Sequence, residues 1–457
     1  MFVASSHPRA TQTVVLERAA KPVAALLRCC VAWAAFSAQP ALVRAQQLLA
    51  ASFQAPNNSN PEQLDPDADL SGILQIDVAT GQAATFIPVG TAGMQEPTAL
   101  AIGPLDGHVY VGTNASGRIY VFDGISGEAI DDPDRGIFAG RWLDLGDVGI
   151  ASVLFDDAGV LHVAAAPAQN PFAGFVARLD TASGVRLTDA LSSIEYPGGM
   201  TFNSRGELIV DAGVLFTPGS IVKASGGTAS TLIPNTTGQF DNAQPLVMAP
   251  LRGDYQRNGR VDGADLLAWQ RGFGLAMILP GANPDGDADG FVNAGDAGVW
   301  ANNFGAEAGL VFADFLGTTS IDGATGNRLM AADHDGQNLR LLGLVPPAIP
   351  QVPPPNVFLL SNFPSGMAVT PFNTLIVSSL GLANRPDNRG ALHEYDAEGN
   401  LLRTIAGDLP PISAIAWAAI PMPMGAAIPE PGAALLLAVG WLCLSAARRQ
   451  GRPTEPR

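Results

Sequence analysis

Cysteine is nearly absent. The 457 residues hold three, Cys29, Cys30 and Cys443, all in apolar stretches near the two ends. The body of the chain therefore has no disulfide framework, no cysteine-based zinc site and no thiol nucleophile. Basic charge is scarce as well: 25 Lys and Arg stand against 42 Asp and Glu, a formal net charge of −17. Five of the basic residues precede Gln46 and four follow Pro431, where only Glu17 and Glu455 are acidic. Residues 46–431 thus carry 16 basic and 40 acidic side chains. Such a surface repels phosphate backbones and argues against nucleic acid as a partner, while suiting divalent cations. Of five histidines, His108, His162, His334 and His393 lie in the body, and none pairs with another at metal-ligand spacing. The sequence has no HExxH, no GxSxG and no phosphate-binding loop, so the common hydrolase and nucleotide-binding signatures are missing.

Turn residues are plentiful, with Gly 51 and Pro 36. They punctuate a phrase that recurs about every 50 residues, in which a small apolar stretch, a polar turn and a β-branched run precede a hairpin with Asp and Gly. Copies begin "PTALAIGPLDGHVYVG" (97–112), "GIASVLFDDAGVLHVAA" (149–165), "PGGMTFNSRGELIVD" (197–211) and "PSGMAVTPFNTLIVSS" (364–379). Four short strands per period predict the blades of a β-propeller. The first segment, "GILQIDVATGQ" (72–82), is a hairpin lacking its leading strand. The last, "PPISAIAWAA" (410–419), is a leading strand without a hairpin. Joined, they complete one blade and close the ring, removing an open edge. The count is six blades, with five or seven as alternatives. The rhythm resembles the NHL and gluconolactonase-like propellers, which implies a mainly β fold made of one propeller.

The fourth blade is interrupted. "QPLVMAP" (244–250) starts it and "GLVFADF" (309–315) resumes it, with residues 251–305 between. Inside that stretch two segments align at an offset of 31 residues, pairing Asp254 with Asp285, Gly259 with Gly290, Val261 with Val292, Asp265 with Asp296, Trp269 with Trp300 and Phe273 with Phe304. Each reads as a twelve-position loop entering a short helix. Oxygen donors at positions 1, 3, 5, 9 and 12, a carbonyl at 7 and glycine at 6 are what a calcium loop needs. The second loop offers Asp285, Asp287, Asp289, the Phe291 carbonyl, Asn293 and Asp296. The first offers Asp254, Gln256, Asn258, the Arg260 carbonyl, Asp262 and Asp265. With three carboxylates against four, and Arg257 and Arg260 beside it, the first is expected to bind Ca2+ more weakly. The apolar stripes Leu266, Trp269, Phe273 and Ala297, Trp300, Phe304 are expected to bury against each other, tryptophan to tryptophan, coupling metal binding to folding.

Duplicated loop–helix units with Asp at position 12 resemble type I dockerin modules. That resemblance implies Ca2+ binding and, in cellulosome-like assemblies, a cohesin partner. Loop positions 10 and 11, where such modules carry hydroxyl residues for the cohesin, are Gly263-Ala264 and Ala294-Gly295 here, which argues against cohesin docking.

The two ends read as addresses. Arg9, Arg18, Lys21 and Arg28 precede an apolar run and a small-residue "VRA" at 43–45, the order of a secretory signal over 1–45. A linker is expected over 46–71. At the other end, Pro-Glu-Pro at 429–431 precedes an uncharged run at 432–447 and then Arg448, Arg449 and Arg452. Within 421–457 this resembles the PEP-CTERM sorting signal, implying transient membrane anchoring through a transmembrane helix, cleavage and release to the cell surface or matrix. A stable tail anchor is the plainer alternative.

The domain reading is therefore signal peptide, linker, propeller over 72–250 and 306–420, calcium-binding insert over 251–305, and sorting signal. The expected function is an exported, non-catalytic calcium-binding scaffold for extracellular polysaccharide or a surface protein. One rival is an extracellular propeller enzyme, a lactonase or carbohydrate-active hydrolase; Asp211 and Asp314 would supply it with two carboxylates at matching blade positions on the channel. The other rival is a cohesin-binding component.

Overall fold

The computed structural model describes residues 47–52, 72–114, 116–213, 219–234, 240, 243–275, 284–321, 324–346, 363–380 and 390–417. The signal and sorting segments expected at the two ends lie outside these. Among the described residues no helix is long and apolar enough to cross a membrane.

Strand formation follows the β-branched runs. Val109–Thr113 is buried along its whole length and Val160–Pro167 at all but its two end residues, because each lies mid-blade with a neighbouring blade on either face. The outermost strand Thr228–Ile233 carries small polar residues and is mostly exposed. Turns between third and fourth strands repeat one device. Asp77 and Asp180 end a strand and Asp123 directly follows one, and each side chain accepts main-chain N–H from the turn it begins. Four residues later Gly81, Gly127 and Gly184 take left-handed conformations at φ 72°, where a Cβ would be strained.

The strands form six sheets, five of four strands and one of five, all antiparallel: a six-bladed propeller. The innermost strands are Pro97–Ile102, Val148–Phe155, Pro197–Phe202, Ala243–Met248, Phe363–Val369 and Ile412–Trp417, and each touches the next around the ring. Closure uses both ends of the chain. Ile412–Trp417 pairs with Gln47–Ser52, which pairs with Gly72–Asp77. Gln47–Ser52, expected as linker, is thus the second strand of the closing blade. Its "LLAAS" run is buried from Leu48 onward, which a solvated linker would not be. Ser413 Oγ donates across this seam to the carbonyls of Ala51 and Pro97. Side chains between blades form the core clusters, one of which joins Leu48, Leu74 and Ile76 to Ile376, Leu392, Ile412 and Ile415.

The fourth blade comprises Ala243–Met248, Leu310–Ile321, Ala324–Ala332 and Arg340–Leu344, and the insert leaves it between the first two strands. Met248 and Leu310 are register partners, so the insert starts and ends at adjacent strand ends.

Candidate functional site

Two α-helices occur among the described residues, Gly263–Gly272 and Ala294–Asn303, each preceded by one acidic loop. The loops are conformational twins. Position 4 is left-handed in both, at Arg257 (φ 56°) and Ala288 (φ 62°), as is position 6 at Gly259 (77°) and Gly290 (88°). Both helices end at Phe273 and Phe304 with φ −55° and ψ 127°. Each starts with a capping box: Asp262 accepts from Ala264 N–H while Asp265 accepts from Asp262 N–H, and Asn293, Gly295 and Asp296 repeat it.

In the second loop, carboxylate oxygens of Asp285, Asp287 and Asp289 all lie within 4.8 Å of one another. Asp285 is buried, its Oδ2 accepting from Gly290 N–H at 2.9 Å. Asp296, also buried, accepts from the N–H groups of Gly286, Asp287 and Asn293 and so ties both ends of the loop to the helix start. Asn293 Nδ2 donates to Asp289 and, at 3.4 Å, to the Phe291 carbonyl. Burial and then the charges of Asp296, Asp289 and Asp285 push the Asp287 carboxyl up. These are hard oxygen donors repelling one another, a set that fits a hard divalent cation rather than a thiophilic metal.

In the first loop Asp254 and Asp265 are buried, while Gln256 and Asn258 are exposed. Burial, with the charge of Asp265, raises the Asp254 carboxyl to about 6 against the opposing N–H groups of Gly259 and Asn258. Tyr255 binds the two loops together. Its hydroxyl donates to the Asp296 carbonyl at 2.7 Å, and a Cβ on Gly286, the matching position of the second loop, would fall 2.4 Å from that oxygen.

The tryptophans do not meet as expected. Trp269 stacks edge-on against Phe273 of its own helix, at 5.2 Å, and Trp300 against Phe304, at 5.1 Å. Each indole instead donates across the module: Trp269 to the Asn293 carbonyl and Trp300 to the Asp262 carbonyl, both at 2.7 Å. Phe273 is 57% exposed and Phe304 60%, so the stripes are not mutually buried. Val261 and Val292, at position 8 of each loop, are buried in their place.

The module is held to the ring by a charged cluster unforeseen in the sequence. Glu307, at its exit, pairs with Arg205 of the third blade at 3.1 Å, His334 of the fourth at 3.2 Å and Arg260 of the first loop at 3.5 Å. Beside it a cleft of about 460 Å³ separates the first loop from turns of the second and third blades.

The central channel, about 560 Å³, is lined mainly by small and apolar side chains such as Ala101, Val153, Met200, Leu246 and Met367, with Asp156 and Asp157 at its rim. Asp211 and Asp314 do not line it. Nor are their positions equivalent: Val210 pairs with Met200 and Phe312 with Leu246, so Asp314 matches Ala212 rather than Asp211. One step of register turns a side chain to the other face. Asp211 shares its face with Ile209, and Asp314 its face with Phe312, both in the seam between third and fourth blades. There Asp314 is wholly buried against Arg328. Asp211, wholly buried, lies beside the Ala243 N–H and Gln244 amide without a hydrogen bond to either oxygen, and burial raises it to about 7. Burial likewise lowers His393 to about 4.

No family model matches the chain, and no curated protein does. Solved structures match it at low identity. A nidogen/laminin complex matches at 11% identity and TM-score 0.46, covering 81% of this chain and 97% of that one. A protein of unknown function from Bacteroides caccae matches at 10% and 0.42, covering 81% and 98%. A luciferin-regenerating enzyme matches at 11% and 0.40, covering 76% and 90%.

Proposed function

We propose that the insert is a two-site Ca2+ module and that the protein is an exported, surface- or matrix-associated binding scaffold rather than an enzyme. The convergence of Asp285, Asp287 and Asp289 carries the first half of this reading. Asp285, Asp287, Asp289, the Phe291 carbonyl, Asn293 and Asp296 would hold the stronger ion. Asp254, Gln256, Asn258, the Arg260 carbonyl, Asp262 and Asp265 would hold the weaker one. The ion neutralises carboxylates that otherwise repel and locks both loops onto their helices. The channel favours binding over catalysis in that its side chains are mainly small and apolar and its carboxylates, Asp156 and Asp157, sit together on one second-blade turn at the rim. Secretion and the PEP-CTERM-like retention follow from the terminal motifs alone, and the dockerin-like pattern is used here for ion binding rather than for a cohesin. Calorimetric titration of Ca2+ into chelator-treated protein tests the reading. Two unequal binding steps are expected, the tighter one abolished in Asp285→Ala/Asp287→Ala; unchanged uptake in that variant overturns it.

A further inference from the structure

We propose that the cleft between the first acidic loop and the ring binds a carboxylated sugar, a uronic-acid unit of an acidic polysaccharide. Its volume of about 460 Å³ lies in the range of small-ligand sites, roughly 300–1,000 Å³. The walls come from two sources. The ring supplies Asp156 and Asp157 from a second-blade turn, Phe202 from the third blade and Met248 from the fourth, while the loop supplies Arg257 and Asn258.

Two of these groups are charged and make no side-chain hydrogen bond or ion pair among the described residues, the Arg257 charge being favoured only at longer range by Asp254. Arg257 sits at a left-handed position on the loop, and among the described residues no hydrogen bond or ion pair engages its guanidinium. Every other arginine in the cleft's surroundings is paired, Arg205 and Arg260 both to Glu307. Asp157 faces the same cleft, exposed, with no hydrogen bond to its carboxylate. Arg257 and Asp157 both line the cleft and form no ion pair with each other, so a molecule in it is offered a fork of donors by the loop and a bare acceptor by the ring. A carboxylate takes the fork, and a hydroxyl donates to Asp157. Asn258 commits its side-chain oxygen to Arg260 N–H, leaving its amide as a further donor. Phe202, propped edge-on against His162 at 5.2 Å, and Met248 add the apolar surface that the face of a sugar ring needs. His162 also holds Asp156, at 3.3 Å, so the ring side of the cleft is preorganised. An acidic peptide would use the fork, but its neighbouring carboxylates lie within a residue or two and would meet Asp156 and Asp157, whereas one uronic-acid unit brings a single carboxylate with several hydroxyls.

This inference rests on the calcium reading for its regulation. The first loop carries Asp254, Asp262 and Asp265 against Arg257 and Arg260, so its carboxylates outnumber its guanidiniums until a divalent cation reverses the sign. Asn258, Arg260 and Asp262 are at once cleft wall and candidate ion ligands. Sugar affinity is therefore expected to rise when the loop fills.

The test is a titration of the full chain with methyl glucuronide, methyl glucoside and a short acidic peptide, by ligand-observed NMR with calcium present and with chelator. Saturable glucuronide binding, at least tenfold tighter than the glucoside or the peptide and weakened about tenfold or more by Arg257→Gln and by Asp157→Asn, is the expected result. Asp157→Asn leaves the insert untouched, so its effect does not depend on loop folding. Absence of glucuronide binding while calorimetric Ca2+ uptake stays normal overturns the site and spares the calcium reading. Equal binding of the acidic peptide overturns the saccharide assignment.

Discussion

Trp269 donates its indole N–H to the main-chain carbonyl of Asn293, 2.7 Å away in the other half of the insert. Asn293 caps the second helix and is itself an ion-ligand candidate, so the packing of one unit fixes the ligand geometry of its twin. Trp300 does the same in reverse through Asp262. Two loops joined in this way should fill cooperatively despite unequal ligand sets. Trp269→Phe keeps the ring and removes the donor. It is expected to cost about 1–3 kcal/mol through the stranded carbonyl, read as weaker Ca2+ uptake at the second loop and a loss of coupling between the two calorimetric steps.

Calcium removal should loosen the insert before the ring. With free Ca2+ at about a hundred times the dissociation constant, binding stabilises by ~2.7 kcal/mol. A chelator is therefore expected to lower the melting temperature of an insert transition seen by tryptophan fluorescence. The far-UV signal of the propeller should hold. A single transition shifting as one would show that insert and ring melt together.

The third and fourth blades meet over a buried ion pair, Asp314 with Arg328, both fully inaccessible. Arg328→Met leaves Asp314 charged in an apolar seam and is expected to destabilise by about 3–5 kcal/mol. Replacing both partners, Asp314→Leu with Arg328→Met, should recover most of that loss. Chemical denaturation of the three proteins measures the difference.

Asp211 and His393 predict opposite pH responses. Asp211 ionises at about 7 in the fold against roughly 3.9 in an unfolded chain. Its contribution is therefore present below 3.9 and is lost as pH rises towards 7. His393, near 4 in the fold and about 6.5 unfolded, loses stability as pH falls from 6.5 towards 4. Asp211→Asn should raise the melting temperature by several degrees at pH 8 and leave it unchanged at pH 4. His393→Gln should flatten the acid side of the profile.

The strands inside each blade were legible because burial on both faces demands β-branched runs, and turn chemistry marks their ends. The paired loop–helix units of the insert were legible for a different reason: the acidic, capping and glycine positions are local requirements of each loop's conformation, and two copies carried them. What escaped was decided by register and by contact. Gln47–Ser52 read as linker because its strand partners are Gly72–Asp77, beyond a long connection, and Ile412–Trp417, at the far end of the chain. Outer strands such as Thr228–Ile233 show little pattern since only one edge of each is packed. Asp211 and Asp314 looked equivalent by phrase, but a shift of one residue in pairing turned both into the seam between third and fourth blades instead of towards the channel. Helical spacing put Phe273 and Phe304 on the same stripe as the tryptophans, and nothing local says that they stay exposed at the ends of their helices.

Met248 and Leu310 are register partners, and Ala249 N–H donates to the Gly309 carbonyl at 2.8 Å just beyond them, so the chain departs and returns across one strand spacing of about 4.8 Å. The whole module hangs from what would otherwise be a tight hairpin. Excising it and splicing a short turn in its place requires no change in any ladder, and the same point would accept a foreign domain. The ring is in this sense a chassis with a built-in socket, and the acidic module is the cassette it now carries.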